Sequence, residues 1–233
     1  MNNYILILGF HKGDNYVTNL LDNNHKIIGV DASYKNLLEA TKNYKQYPNL
    51  TLINKCIYNI DNINIPFYLS TNDEWSSLDK NIAERFVDSE QVTVNTITLN
   101  TLLTKYGCPL YLKIDIEGYD ENVLRQLLKT TYRPKFISCE TECLGKDYEF
   151  TYNKLDGLTN INLLKDLGYT KFFLHNENYN DFELDLSKDY CNEWKSYNEI
   201  KNDLLALRKQ FCEDVANKKI KYFTFWYDIY ATY

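Results

Sequence analysis

The sequence predicts an α/β fold built on a mostly parallel sheet, and three observations carry that reading. Short apolar runs alternate with helical periodicities from the N-terminus onward. The first apolar run passes straight into a glycine loop, and acidic residues stand at the ends of two of the runs. Parallel strands need crossover helices, so such an alternation implies parallel pairing.

The elements follow in order. Tyr4–Leu8 is a short buried strand, and Gly9-Phe10-His11-Lys12-Gly13 is the loop after it. Val17, Leu20 and Leu21 then share one face of a helix. Lys26–Val30 is a second strand that ends at Asp31, and Tyr34–Tyr44 reads as a helix. Pro48-Asn49 bounds a third strand, Leu50–Ile57. Ile65–Leu69 and Val92–Leu99 are β-like runs separated by the polar segment Ser70 to Lys80. The alternation resumes with strand Leu110–Asp115, helix Glu121–Leu128 and strand Lys135–Thr141. Ile161–Leu167 is a helix stopped by Gly168, and Tyr169–Leu174 is a strand. Ile200 to Val215 is amphipathic, and Tyr222–Ala231 closes the chain as an aromatic β run. No repeat or flexible linker interrupts the 233 residues, so a single domain is expected, with a polar, helical insertion at about 176–221.

Composition excludes several classes. An apolar content of 44% supplies a full core, and the formal charge of −6 comes without any basic block. Nucleic-acid backbones call for clustered Lys and Arg, so no nucleic-acid partner is expected. No apolar stretch approaches the ~20 residues of a membrane span. The N-terminus lacks a signal-peptide layout, and the chain reads as cytoplasmic. Six scattered cysteines, Cys56, Cys108, Cys139, Cys143, Cys191 and Cys212, read as reduced thiols rather than a zinc site.

The densest chemistry lies in Lys113-Ile114-Asp115-Ile116-Glu117-Gly118, two carboxylates at the mouth of an apolar strand. Ligands of open α/β sheets bind beyond the carboxyl ends of the strands. Asp115 and Glu117 therefore qualify as cofactor amine ligand, acceptor-hydroxyl base or metal ligand, and Lys113 is placed to pair with one of them. Gly9 and Gly13 let the backbone approach a ligand at a helix start, where Asp14 is an alternative N-cap. Asp31 stands 18 residues after Gly13, where an acid commonly bonds ribose hydroxyls, or else caps the next helix. The G-x-G-x-x-G of a dinucleotide site is missing, which counts against an NAD enzyme. His11 and His175 follow strand ends, whereas His25 precedes a strand. Trp75, in the Ser70 to Leu78 segment, either stacks on an acceptor or packs on its own loop.

These residues resemble the FkbM family of S-adenosylmethionine-dependent methyltransferases. The likeness rests on Leu8 to Asp14, Val30-Asp31-Ala32, Asn54 to Tyr58, Asp73 to Leu78, Leu112 to Gly118 and the closing Trp226 to Ala231. It implies a class I methyltransferase Rossmann-like fold. Its seven-stranded sheet would be mostly parallel with an antiparallel last strand, and helices would cover both faces. It implies S-adenosylmethionine as cofactor, with a divalent metal not expected, and O-methylation of a hydroxyl on a sugar, glycan or natural product. The cofactor would be lined by Gly9, Phe10, His11, Gly13, Asp14, Asp31, Ala32, Cys56, Ile57, Ser77 and Asp115. Gly9 and Gly13 would lie at its methionine end, Asp31 at the ribose, and Cys56 and Ile57 at the adenine. Asp115, Glu117 and His11 are the candidate catalytic groups. Trp75, Ser76, Glu140 and His175 are the candidates for the acceptor. A metal-dependent variant would gather Asp115, Glu117 and Glu140. The chain departs from the family at Ile7, where an acidic residue is usual. That departure keeps a non-catalytic binding or scaffold protein as the competing reading.

Overall fold

A computed structural model describes residues 4–13, 15–140, 158–176, 194–217, 219 and 227–233. The expectations for Asp14, Thr141, Cys143, Cys191 and Tyr222 to Trp226 lie outside the described residues. Ten strands are described: β1 (Tyr4–Leu8), β2 (Lys26–Asp31), β3 (Leu50–Asn54), β4 (Cys56–Ile57), β5 (Asn64–Ser70), β6 (Ser89–Ile97), β7 (Tyr111–Ile114), β8 (Phe136–Glu140), β9 (Lys171–Asn176) and β10 (Tyr227–Thr232). The helices are α1 (Asn15–Asp22), α2 (Tyr34–Asn43), α3 (Lys80–Ala83), α4 (Leu99–Tyr106), α5 (Asp120–Leu128), α6 (Thr159–Asp166) and α7 (Tyr197–Ala216). Seven strands form one sheet in the order β3-β2-β1-β7-β8-β10-β9. The pairs β1–β2, β2–β3 and β1–β7 are parallel, and the last strand, β10, runs antiparallel to β9. This is the mostly parallel class I arrangement that the sequence predicted. Among the described residues, no helix is long and apolar enough to cross a membrane.

The chain divides into two compact units, residues 1–137 and 138–233. In the first unit β1 has a parallel neighbour on each side, and all five of its residues are buried, so both faces of the strand are covered. A strand covered in this way reads as a continuous apolar run rather than an alternating one. Helices contribute one apolar stripe each: Val17, Leu20 and Leu21 from α1, Leu99, Leu102 and Leu103 from α4, and Val123, Leu124 and Leu127 from α5. Each such side chain contributes roughly 1.5–3 kcal/mol when fully buried. A second sheet, β4-β6-β5, holds the antiparallel β5–β6 pair from Asn64↔Asn95 to Ser70↔Ser89.

In the second unit, β9 and β10 pair from Lys171↔Thr232 to Asn176↔Tyr227. Leu204 and Phe211 of α7 form a cluster with Leu158, Leu174, Leu207 and Tyr227. That amphipathic helix was expected over Ile200 to Val215.

Two elements differ from expectation. The run Leu50–Ile57 is two strands, not one. β2 ends at Asp31, so β3 has no neighbour to pair with past Asn54. The Lys55 N–H instead bonds the carbonyls of Asp31 and Ile53 (3.1 Å each), and Cys56–Ile57 moves into the second sheet opposite Thr96 and Ile97. The expected strand Val92–Leu99 stops at Ile97, because Thr98 caps α4 by accepting the Thr101 N–H at 3.1 Å. That helix was not anticipated.

Between β1 and β7 the strand order reverses, which places a crevice at the carboxyl ends of these two strands. Its floor is tight. The Asp115 N–H donates to the Leu8 carbonyl (3.0 Å), and a Cβ on Gly9 (φ +84°) would stand 1.6 Å from the Asp115 carbonyl oxygen. We predict that Gly9→Ala destabilises the fold by roughly 3 kcal/mol or more, as clash and left-handed strain act together. Urea denaturation measures this, and a loss below 1 kcal/mol would contradict the packing described.

Candidate functional site

The loop after β1 supplies the first wall. The Gly9 and Phe10 N–H groups both donate to the Val30 carbonyl, at 2.9 and 3.1 Å. Phe10 turns into the core, where it fills the space left by Gly29 and meets Tyr44 edge-on at 6.2 Å between centroids. Gly13 (φ +81°) faces the Tyr44 ring, 2.4 Å from where a Cβ would be. Both loop glycines are therefore required by the chain's own packing.

Asp31 ties this loop to the next one. Its Oδ2 accepts the His11 backbone N–H and its Oδ1 accepts the Ser33 N–H, both at 2.7 Å. It does not cap α2; Ser33 does, accepting the Asn36 N–H. A carboxylate has about four lone-pair sites, so the two backbone bonds leave Asp31 able to accept a vicinal diol. Burial raises its carboxyl above the ordinary value, against the pull of the His11 and Ser33 bonds. Asn54 braces the same corner, its Nδ2 donating to the carbonyls of Asp31 (3.0 Å) and Ala32 (3.1 Å). Cys56 and Ile57 are buried in β4, and burial, with the Asp31 charge second, pushes the Cys56 thiol up to about 12. Such a thiol is inert at neutral pH.

The polar segment after β5 closes on the β1 loop and on the turn after β7. Its single turn Asp73–Trp75 presents Asp73 to the β1 loop, where Oδ1 lies 3.0 Å from His11 Nε2 and Oδ2 lies 2.6 Å from Lys12 Nζ. Burial alone would raise the Asp73 carboxyl, but the Lys12 and His11 hydrogen bonds outweigh it and hold the group below the ordinary carboxylate value. A depressed carboxyl contributes stability above its unfolded pKa and loses it as pH falls through the folded one, so this clasp persists at neutral pH. Ser76 Oγ donates to the Asp73 carbonyl (3.1 Å). Ser77, buried, donates to the Glu117 carbonyl (2.7 Å) and accepts the Asp79 N–H (3.0 Å). Trp75 packs within this region, edge-on to Phe86 at 5.7 Å and with the Arg85 guanidinium 4.7 Å from its ring centre.

The two carboxylates after β7 diverge. Asp115 pairs with Lys113 at 2.9 Å, the pairing anticipated from sequence, and its side chain keeps 28% of its exposure. Glu117 is not on the strand. It lies in a left-handed turn (φ +51°) before Gly118, so strand alternation does not decide where it points. Its Oε2 sits 3.0 Å from Arg85 Nη2, the two side chains being 12% and 4% exposed. Burial raises the Glu117 carboxyl well above the carboxylate range, with the Arg85 charge acting against it. Arg85 escaped the sequence reading because no local pattern links it to a residue so distant in the chain. In the second unit, Glu140 ends β8 and its carbonyl accepts the Asn160 Nδ2 (2.8 Å), while His175 lies in β9 opposite Asp228. His25 serves as backbone, its N–H bonded to the Leu20 carbonyl (3.0 Å). Cys56, Cys108 and Cys139 are free thiols.

Residues 9–171 match the methyltransferase FkbM domain. The chain belongs to the FkbM methyltransferase family. No curated protein sequence matches it. Among solved structures it is similar to the precorrin-6y C5,15-methyltransferase of Geobacter metallireducens, at 11% identity and a TM-score of 0.41, over 99% of this chain and 78% of that one. It is also similar to fibrillarin of Aeropyrum pernix, solved with S-adenosyl-L-methionine (12%, 0.42, 99% and 66%). A third is the geranyl diphosphate C-methyltransferase of Streptomyces coelicolor (7%, 0.44, 99% and 72%). The FkbM match spans every first-unit feature described above from Gly9 onward.

Removing the Glu117 carboxyl leaves the buried Arg85 guanidinium without that acceptor whether the carboxyl is charged or neutral, at a cost of about 1–3 kcal/mol or more for a charged donor. We expect Glu117→Ala to destabilise the fold by at least that amount, read by urea denaturation at pH 7. A loss under about 1 kcal/mol would mean that the Arg85–Glu117 contact is solvent-screened.

Proposed function

We propose that this FkbM domain transfers a methyl group from S-adenosylmethionine to a hydroxyl of a sugar, glycan or natural product. The observation that supports the cofactor most is Asp31. It closes β2 beside the β1 loop at the point of strand reversal, with acceptor capacity left on its carboxylate after two backbone bonds. That capacity suits a ribose diol. The loop from Gly9 to Gly13, with Asp14, would hold the amino-acid end. Cys56 and Ile57 would supply a buried wall beside the adenine, and Ala32 and Ser77 would border the same crevice.

The cofactor supplies an electrophilic methyl group on a sulfonium. What remains for the chain is alignment and removal of the hydroxyl proton. Orientation of this kind is worth about 7–11 kcal/mol, and a positioned base adds ~10²–10⁴-fold. Asp115 is the base we favour. Its carboxylate is the more exposed of the pair, and Lys113 holds it in place. Glu117, paired to Arg85, would act by fixing the turn beneath it. His11 is the alternative base: with Asp73 ionised and accepting only, Nε2 carries the proton and a neutral ring leaves Nδ1 bare. Trp75 and Ser76, beside the β1 loop in the first unit, would face the acceptor.

Calorimetric titration with S-adenosylhomocysteine tests the reading. The expected outcome is one site per chain, weakened at least ~tenfold, or ~1.4 kcal/mol, by Asp31→Ala. Asp115→Asn should then leave binding intact and lower turnover of a glycoside acceptor by ~10²-fold or more. A folded protein that binds neither S-adenosylmethionine nor its product would sink the proposal.

A further inference from the structure

His11 is the residue whose conformation needs an explanation. Its φ of +52° lies in the left-handed region, which non-glycine residues adopt only at a cost. It stands inside a loop whose two glycines are also left-handed. Such a conformation persists when its surroundings over-determine it. Two bonds do so here. The His11 backbone N–H is held by Asp31 Oδ2 at 2.7 Å, and its imidazole is held by Asp73 Oδ1 at 3.0 Å. Asp73 also grips the next residue, Lys12, at 2.6 Å, so one carboxylate restrains two consecutive loop residues. The carboxylate is itself placed by a short turn, closed by the Trp75 N–H on the Asn72 carbonyl (2.9 Å) and the Ser76 hydroxyl on the Asp73 carbonyl.

From this geometry we infer that Asp73 is a positioning residue for the cofactor site. It acts through the imidazole of His11 to keep the β1 loop left-handed and the His11 N–H on Asp31. The inference rests on the cofactor reading above and gives a task to a residue that need not touch the cofactor. Without Asp73, His11 relaxes toward negative φ and its N–H swings away from Asp31. The carboxylate then loses one of the two donors that aim it. The imidazole on this account is a handle for the backbone. A glycine at position 11 reaches the same φ without a handle, whereas an alanine does not.

That difference supplies the test. Affinity for S-adenosylhomocysteine is measured by calorimetry for the wild type, Asp73→Ala, His11→Ala, His11→Gly and the double variant His11→Gly/Asp73→Ala. Thermal melts check that each is folded. The two side chains are 31% and 24% exposed, so truncation leaves no buried hole. Asp73→Ala and His11→Ala are each expected to weaken binding about tenfold. His11→Gly should recover most of what His11→Ala loses. In the glycine background, Asp73→Ala should then change affinity by less than about twofold. Wild-type affinity in Asp73→Ala would overturn the inference. So would His11→Gly binding as weakly as His11→Ala, since the imidazole would then matter as a contact and not through the backbone. A folded wild type with no affinity at all is a separate result: it overturns the cofactor reading, and this inference with it.

Discussion

The site depends on one close approach. Leu8 and Gly9 at the end of β1 meet Asp115 at the end of β7, through an N–H to carbonyl bond and a gap that only hydrogen can fill at Gly9. Parallel strands in register bring their ends level, so two loops leave the sheet side by side. The absent side chain lets those loops touch at their bases. The reactive-looking residues of both loops, His11 and Asp115, are thereby carried on one rigid floor. A crevice built in this way needs no large movement of backbone to present them.

Above the floor, charge does the arranging. Asp31 collects two backbone donors, Asp73 collects two cationic or proton-bearing side chains, and Glu117 is matched to Arg85. These pairs differ in kind. The Arg85–Glu117 pair is buried, where desolvation is severe and the pairing must be kept to avoid an isolated charge. The Asp73 contacts are partly exposed and weaker, suited to setting the posture of a loop rather than holding a fold together. The segment from Ser70 to Arg85 carries both Asp73 and Arg85, so it joins the β1 loop to the turn after β7. A stretch that reads as an irregular connection thus links the two sides of the crevice within the first unit.

Much of this was legible in the chain. The glycine loop after Leu8, Asp31 at a strand end, and Lys113 beside Asp115 all follow from local pattern, because strand ends in a parallel sheet face the same way and Lys113 stands two residues before Asp115. The breaks at Lys55 and Thr98 were not legible. Each interrupts a run of good β-formers, and what ends the strand is the loss of a neighbour in one case and a helix cap in the other. What the loop glycines pack against was not legible either. A positive φ can be guessed from sequence, but the atom that fills the space beside a glycine comes from elsewhere in the fold.

By itself, then, the sequence determined the alternation of strands and helices, the parallel pairing this enforces, and the family to which residues 9–171 belong. These are properties of short windows, where periodicity and turn chemistry act. Tertiary structure alone decided that Glu117 belongs to Arg85, that His11 and Lys12 belong to Asp73, and that Gly9 makes room for Asp115. Each is a contact between groups far apart along the chain. Coulomb attraction and excluded volume act through space, so no window of sequence contains both partners.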